Sequence, residues 1–148
     1  MKKKIIYFGI SLLMGVLLST VVSAQSSLTI VGNSESVPSE MNMNELQSVL
    51  KGEKMRWDDG VKVKIALMKT NTPIGSVTSE KIYNMTGNEL NKYFLALVFA
   101  GKVKAPAFFN TASELEAYVS QTPGAIGVVE ASYDEQIKIV VVDGKKQI

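Results

Sequence analysis

Short runs of aliphatic and β-branched residues alternate with amphipathic segments along this chain, and this alternation constrains the fold more than any other feature. The runs with the length and composition of strands are Ser27–Val31, Val61–Met68, Ala125–Val129 and Ile137–Val142. The longer segments between them carry apolar residues at helical spacing. Strands that alternate with helices form a sheet with helices on its faces. The sequence therefore predicts an α/β domain with a mixed sheet flanked by helices.

Capping residues and apolar spacing predict where two of the helices lie. After the strand that ends at Met68, one helix is expected from about Ser76 to Met85, followed by a break at Thr86-Gly87. Asn88 is then expected to cap a longer helix that ends at Gly101. The apolar stripe predicted for this longer helix comprises Leu90, Tyr93, Phe94, Leu97 and Val98.

The first 24 residues have the three regions of a secretory signal peptide. Lys2–Lys4 form a basic start, Ile5–Val22 are almost wholly apolar, and small residues end the segment at Ala24. We expect cleavage between Ala24 and Gln25, which makes residues 25–148 a periplasmic domain. The alternative is a retained membrane anchor, since the apolar run approaches the length of a span.

Composition excludes several classes of function. Removing Lys2, Lys3 and Lys4 with the leader lowers the basic residues from 16 to 13 against 14 acidic ones, so the net charge changes from +2 to −1. A nucleic-acid partner is therefore not expected. The chain has no Cys and no His, which removes Cys/His zinc sites, thiol nucleophiles and Ser-His-Asp triads. The sequence predicts a protein that is not an enzyme and that needs no metal or cofactor.

Two segments resemble the second lobe of the substrate-binding proteins of phosphate ABC transporters. They are Leu46–Gly60, LQSVLKGEKMRWDDG, and Tyr118–Tyr133, YVSQTPGAIGVVEASY. In that family a Gly-Lys-x-x-x-Trp-x-x-Gly turn precedes a strand, and a Pro-Gly-Ala-Ile-Gly-Tyr-Val-Glu segment follows later. The resemblance implies that residues 25–148 form one lobe of the type II periplasmic-binding-protein kind, as in small single-lobe relatives.

The resemblance also implies a place for a ligand. In the family, the loop after the second strand carries an Arg and a Ser-Gly-Thr-like turn that opens a helix, where backbone N–H groups and hydroxyls hold an oxyanion. The matching stretch here is Met68–Thr78, which contains no Arg. The residues implied to form the anion site are Lys69, Thr72, Gly75, Ser76, Val77 and Thr78.

The function implied is an exported solute-binding domain that takes phosphate or another small oxyanion for an ABC-type uptake system. Because one lobe leaves half of such a site open, a transporter or a second copy in a homodimer would have to complete it. The alternative is a non-catalytic accessory domain that has lost its ligand and engages another protein of the cell envelope.

Structural roles compete with the functional ones at several of these positions. Gly75, Ser76 and Thr78 could simply open a helix. For Trp57 we favour an anchor that holds its turn to the core over a ligand contact. Gly124 and Gly127 are expected to permit close packing of a strand rather than to hold a phosphate.

Overall fold

The computed structural model describes residues 26–132 and 135–148. The predicted signal peptide, residues 1–24, and the last residue of the second matching segment, Tyr133, lie outside the described residues. No helix within the described ranges is long and apolar enough to cross a membrane.

The described residues form six strands and four helices in the order β1-β2-α1-β3-α2-α3-β4-α4-β5-β6. The strands are β1 Thr29–Gly32, β2 Glu40–Met41, β3 Lys64–Met68, β4 Ala107–Phe109, β5 Ala125–Val129 and β6 Lys138–Val142. The helices are α1 Met43–Leu50, α2 Pro73–Lys81, α3 Gly87–Phe99 and α4 Ala112–Gln121.

All six strands belong to one mixed sheet with the order β2-β6-β1-β5-β3-β4. β3 runs parallel to both of its neighbours, β4 and β5. β1 runs antiparallel to β5 and β6, and the short β2 pairs parallel with β6. The predicted α/β fold with a mixed sheet is confirmed.

Helices cover both faces of this sheet, because successive strand residues point to opposite faces. Ile30 of β1 and Val128 of β5 pack into the larger apolar cluster with residues of α1 and α3. Their neighbours Val31 and Val129 pack into a second cluster with Leu115 of α4. The sheet is therefore buried on both sides, as the nearly unbroken apolar strands indicate.

Two tyrosines fix the end of α1. The hydroxyl of Tyr83 donates a 2.8 Å hydrogen bond to the carbonyl oxygen of Leu50, and the hydroxyl of Tyr93 donates one of 2.8 Å to Lys51. These carbonyls lie at the carboxyl end of α1, where the helix leaves acceptors without partners of its own. The two bonds join α1 to the segment after α2 and to α3.

The predicted starts of two helices are wrong. α2 begins at Pro73 rather than near Ser76, because Thr72 is its cap and Pro is favoured at the first helical position. α3 begins at Gly87 rather than after an Asn88 cap. Its cap is Thr86, which exchanges hydrogen bonds with Glu89 in a capping box.

The prediction that Val98 belongs to the apolar stripe of α3 is also wrong. Its side chain is 38% exposed, whereas Leu90 and Phe94 are buried in the core. The helix presents about one third of its circumference to the core, so the positions that end the stripe turn outward.

Candidate functional site

A cavity of about 330 Å³ lies where the parallel strands β3, β4 and β5 end at the same edge of the sheet. Ligands of open α/β sheets bind outside the carboxyl ends of the strands. The first residues of α2 and α4 reach the same place. The lining residues are Met68, Thr72, Pro73, Ile74, Asn110, Thr111, Ala112, Val129 and Glu130. We call this the strand-end cavity.

The amino terminus of α2 faces this cavity, but few of its backbone donors are free. Pro73 has no N–H, and the N–H of Gly75 donates to the Thr72 hydroxyl at 3.0 Å. The N–H of Ser76 already donates to the Thr72 carbonyl, also at 3.0 Å. Within the first turn, Ile74 therefore keeps the one backbone N–H without a partner in the helix.

Gly75 allows a close approach of two backbone segments. A Cβ atom at this position would lie 1.9 Å from the carbonyl oxygen of Lys69. Gly75 is one of the residues that the resemblance implies for the anion site, which would make a ligand its neighbour. The neighbour in the structure is the chain's own loop at Lys69.

The hydroxyl of Thr78 is engaged inside the helix. Thr78 is 2% exposed, and its Oγ1 donates a 2.7 Å hydrogen bond to the carbonyl oxygen of Ile74. Ser79 forms the equivalent bond to Gly75, also at 2.7 Å. Such bonds to the preceding turn are common for hydroxyl side chains in helices.

Of the six residues implied by the resemblance, Thr72 lines the strand-end cavity and the other five do not. Ser76 is exposed in the first turn of α2, and Lys69 is exposed in the loop before the helix. Val77 is half-buried and packs against the core. The earlier start of α2 explains this, since the turn that opens the helix is Thr72-Pro73-Ile74.

The other half of the cavity was not predicted from the sequence. It is formed by Asn110 and Thr111 before α4 and by Glu130 after β5. Thr111 and Glu114 have the spacing of a capping box, which is typical of a helix start. The structure contains this capping box, with the Glu114 N–H donating to the Thr111 hydroxyl at 3.3 Å. The pairing of β3 with β5 brings these segments together, and no local pattern encodes that pairing.

The charges at the cavity do not favour an anion uniformly. Glu130 lines it and is exposed, and no Arg lines it. Lys69, the nearest cation in sequence, does not line it. In residues 26–132 and 135–148, no group of three or more Asp and Glu side chains could hold a metal ion.

Trp57 and Gly127, which belong to the two matching segments, have structural roles in the internal packing. The indole N–H of Trp57 donates to the carbonyl oxygen of Gly124, and Trp57 is 3% exposed. The interpretation of Trp57 as an anchor is confirmed. A Cβ on Gly127 would lie 2.6 Å from Leu115 of α4, which confirms close packing at this glycine.

Comparison with known proteins identifies the class to which this fold corresponds. No protein-family profile matches the chain, and no curated protein matches it. Among solved structures, the described domain has the fold of substrate-binding proteins of phosphate ABC transporters. The resemblance expected from the two sequence segments is thereby confirmed at the level of the fold.

Two of these structures illustrate the extent of the similarity. An ABC-type phosphate transport receptor from Vibrio cholerae has a TM-score of 0.65 and 13% identity, over 82% of this chain and 48% of that chain. PstS from Borrelia burgdorferi has a TM-score of 0.58 and 20% identity, over 80% of this chain and 48% of that chain. The chain thus spans about half the length of the structures it matches.

Proposed function

We propose that this protein is an exported, non-catalytic solute-binding lobe that takes phosphate or another small oxyanion in the strand-end cavity. The observation that carries the proposal is the meeting of two helix amino termini, α2 and α4, at the carboxyl ends of three parallel strands. Helix amino termini favour anions through unpaired N–H groups and a partial positive charge.

The proposed contacts are the donors that remain available at the cavity. They are the N–H of Ile74 and the side-chain amide of Asn110. Thr72 positions this end of α2, because its hydroxyl already donates to the Lys69 carbonyl oxygen at 2.6 Å and accepts from the Gly75 N–H. Lys69 would supply a mobile point charge from the exposed loop, which is weaker recognition than a bidentate Arg. The resemblance also implies Gly75, Ser76, Val77 and Thr78, and the geometry supports these four as the frame of α2 more than as contacts.

Closure of the site would require a second surface. A cavity of about 330 Å³ is at the small end of ligand sites, and it is open to one side of a single lobe. We propose that a membrane transporter or a second copy of the chain supplies this surface. Affinity of the isolated lobe should accordingly be low.

The second candidate is an accessory domain that keeps the fold without the ligand. It is favoured by Glu130, whose carboxylate would repel an anion, and by Pro73, which removes a donor from the first turn of α2. Such a domain would bind another protein of the envelope and no small anion.

Calorimetric titration of residues 25–148 with phosphate and sulfate separates the two candidates. For a binding lobe, we expect saturable heat that Thr72→Ala reduces. Thr86→Ala is the matched control, because Thr86 caps α3 in the same way but lies outside the cavity. Each cap removal should cost about 1 kcal/mol of stability, so a loss of binding specific to Thr72→Ala cannot be a folding effect.

Ser76→Ala tests how far the ligand extends along α2. Weakened binding in this variant would support the family's wider set of contacts. If a folded domain gives no heat of binding with any anion, the solute-binding proposal is rejected and the accessory domain is favoured.

A further inference from the structure

A second, larger cavity lies at the opposite end of β3 and β4 from the strand-end cavity. It has a volume of about 580 Å³ and is bounded by the start of β3, the turn before it and the segment that leads from α3 into β4. We call it the basic groove. It shares no lining residue with the strand-end cavity.

Six cationic side chains and no acidic one line the basic groove: Lys54, Arg56, Lys62, Lys64, Lys102 and Lys104. Lys54 is paired with Glu45 at 2.8 Å and with Asp58 at 3.3 Å. Among the described residues, no ion pair is found at the other five. The domain after leader removal has a net charge of −1, so this concentration of positive charge is local and strong.

Two segments of the wall repeat the same pattern. Lys62-Val63-Lys64 precedes Ile65, and Lys102-Val103-Lys104 precedes Ala105; all eight residues line the groove. In both segments the lysines are exposed while the valines are half-buried against the core. The groove therefore combines exposed cationic side chains with half-buried apolar ones, and we call the half-buried apolar part its floor.

Exposed apolar side chains lie on α3, the helix that precedes one wall of the groove. Leu95 and Phe99 on the outer side of α3 are 57% and 83% exposed. The wall leaves directly from this helix, since the Lys102 N–H donates to the Leu97 carbonyl at 3.0 Å. Contiguous exposed apolar groups of this kind mark surfaces that contact other macromolecules.

We propose that the basic groove binds an extended acidic segment of a partner protein, with carboxylates at the lysine edges and apolar side chains on the floor. An extended chain directs successive side chains to opposite sides, so alternating acidic and apolar residues would satisfy both parts of the groove. Charge complementarity then selects the partner.

Other anionic occupants fit this surface less well. A membrane surface is flat on this scale and would reach the lysines at the rim but not the floor. A polyanion without apolar groups, such as polyphosphate, would leave Val63 and Val103 uncovered. The proposal does not depend on anion binding at the strand-end cavity.

The test uses a fluorescent peptide of about eight residues that alternates Glu and Val, long enough to span roughly 25 Å when extended. Its affinity for residues 25–148 is measured by fluorescence anisotropy. We expect saturable binding that weakens as salt is raised, because screening reduces the attraction between exposed charges. Lys102→Glu/Lys104→Glu should weaken binding on the order of tenfold or more.

Lys145→Glu/Lys146→Glu is the matched control, since it reverses the same charge on exposed lysines outside the groove. Its affinity should stay within about twofold of the unchanged domain. Met55→Ser provides a second variant that leaves the charges intact, because Met55 lines the groove and is 58% exposed. It should weaken binding about threefold through lost apolar contact.

Equal binding losses in the two double variants would overturn the proposal, as would undiminished affinity for a peptide with Ser in place of Val. Binding of polyphosphate or anionic vesicles that depends on Lys102 and Lys104, without binding of the Glu-Val peptide, would also overturn it. Titration of Lys102→Glu/Lys104→Glu with phosphate distinguishes the basic groove from the strand-end cavity. Loss of peptide binding at the groove should leave any phosphate binding at the strand-end cavity unchanged.

Discussion

The indole Nε1 of Trp57 lies 2.9 Å from the carbonyl oxygen of Gly124 and donates a hydrogen bond to it. This contact joins the two segments that resemble phosphate-binding proteins, although 67 positions separate the residues. Gly124 precedes β5, and its own carbonyl also accepts from the Lys64 N–H at the start of β3 at 3.1 Å. The tryptophan thus ties the turn before β3 to the strand that neighbours β3.

Replacement of the tryptophan should show how much this bond stabilises the fold. Trp57→Phe keeps an aromatic ring but removes the indole donor to the Gly124 carbonyl and leaves a gap in the core, so the free energy of unfolding should fall by about 2 to 3 kcal/mol. Urea denaturation followed by circular dichroism measures the change. Arg56→Ala in the same exposed turn is the control and should change stability by less than about 1 kcal/mol.

Gly60 and Gly124 have similar positive φ angles but different surroundings. Alanine at each position therefore distinguishes the cost of the backbone conformation from the cost of a steric clash. Gly124 has φ +79° and a Cβ there would lie 2.3 Å from the Lys62 carbonyl oxygen, whereas Gly60 has φ +87° and open space around it. Gly60→Ala should cost about 1 kcal/mol through its left-handed backbone. Gly124→Ala should cost at least about 2 kcal/mol more because the backbone must move. Equal costs in urea denaturation would show that the local packing relaxes freely.

Gly75→Ala tests whether the start of α2 is held against the preceding loop. Alanine favours a helix over glycine by about 1 kcal/mol, but the 1.9 Å approach of its Cβ to Lys69 should reverse the sign. We expect a lower melting temperature for Gly75→Ala. Gly87→Ala is the control in α3, where the nearest atom is a side-chain carbon of Thr70 at 3.0 Å. A stabilised Gly75→Ala variant would contradict the close packing of α2 on this loop.

Burial raises the pKa of the Tyr83 hydroxyl above its ordinary value. The neutral form is therefore favoured more in the folded than in the unfolded state. Its contribution to stability is fully present below about pH 10, the ordinary tyrosine pKa, and decreases as the pH rises above that value. Tyr83→Phe lacks this contribution, so the stability difference between the two proteins should narrow at alkaline pH. A difference that stays constant between neutral and alkaline urea titrations would argue against this role for Tyr83.

Export should leave a defined amino terminus. Expression of residues 1–148 in a Gram-negative host is expected to yield periplasmic protein that begins at Gln25, measured as an intact mass. Ala24→Trp should block cleavage, since signal peptidase requires a small residue at this position. A mature protein that retains Lys2–Lys4 would support a membrane anchor instead.

The sequence predicted the strands that are buried on both faces, because their apolar runs are long enough to be distinctive. It did not predict β2 or β4, which have two and three residues and exist through pairing with β6 and β3. The start of α2 was misplaced because Gly75-Ser76 resembles a helix opening, while Thr72 and Pro73 three residues earlier form the actual cap.

Only one half of the candidate site, the loop after β3, could be predicted from the sequence. The loop after β3 was found from a motif, and Thr72 does line the cavity. Asn110, Thr111 and Glu130 reach it through the order of strands in the sheet, which is a tertiary property. Lysines alternate with apolar residues at Val61–Ile65 and again at Lys102–Lys104. Only the structure shows that the two segments line one groove.

The position of β1 inside the sheet has a consequence for the order in which the chain folds. β1 is the first strand, yet its partners are β5 and β6, the last two, with Thr29 opposite Val129 and Ile30 opposite Val140. Leu28 and Ile148 exchange a further pair of backbone hydrogen bonds, at 2.8 and 2.9 Å. Closing such distant pairs makes folding slow relative to local structure formation. The early strand must wait for the late ones, so a chain still emerging from a ribosome or a secretion channel stays incompletely folded until nearly all of it is released.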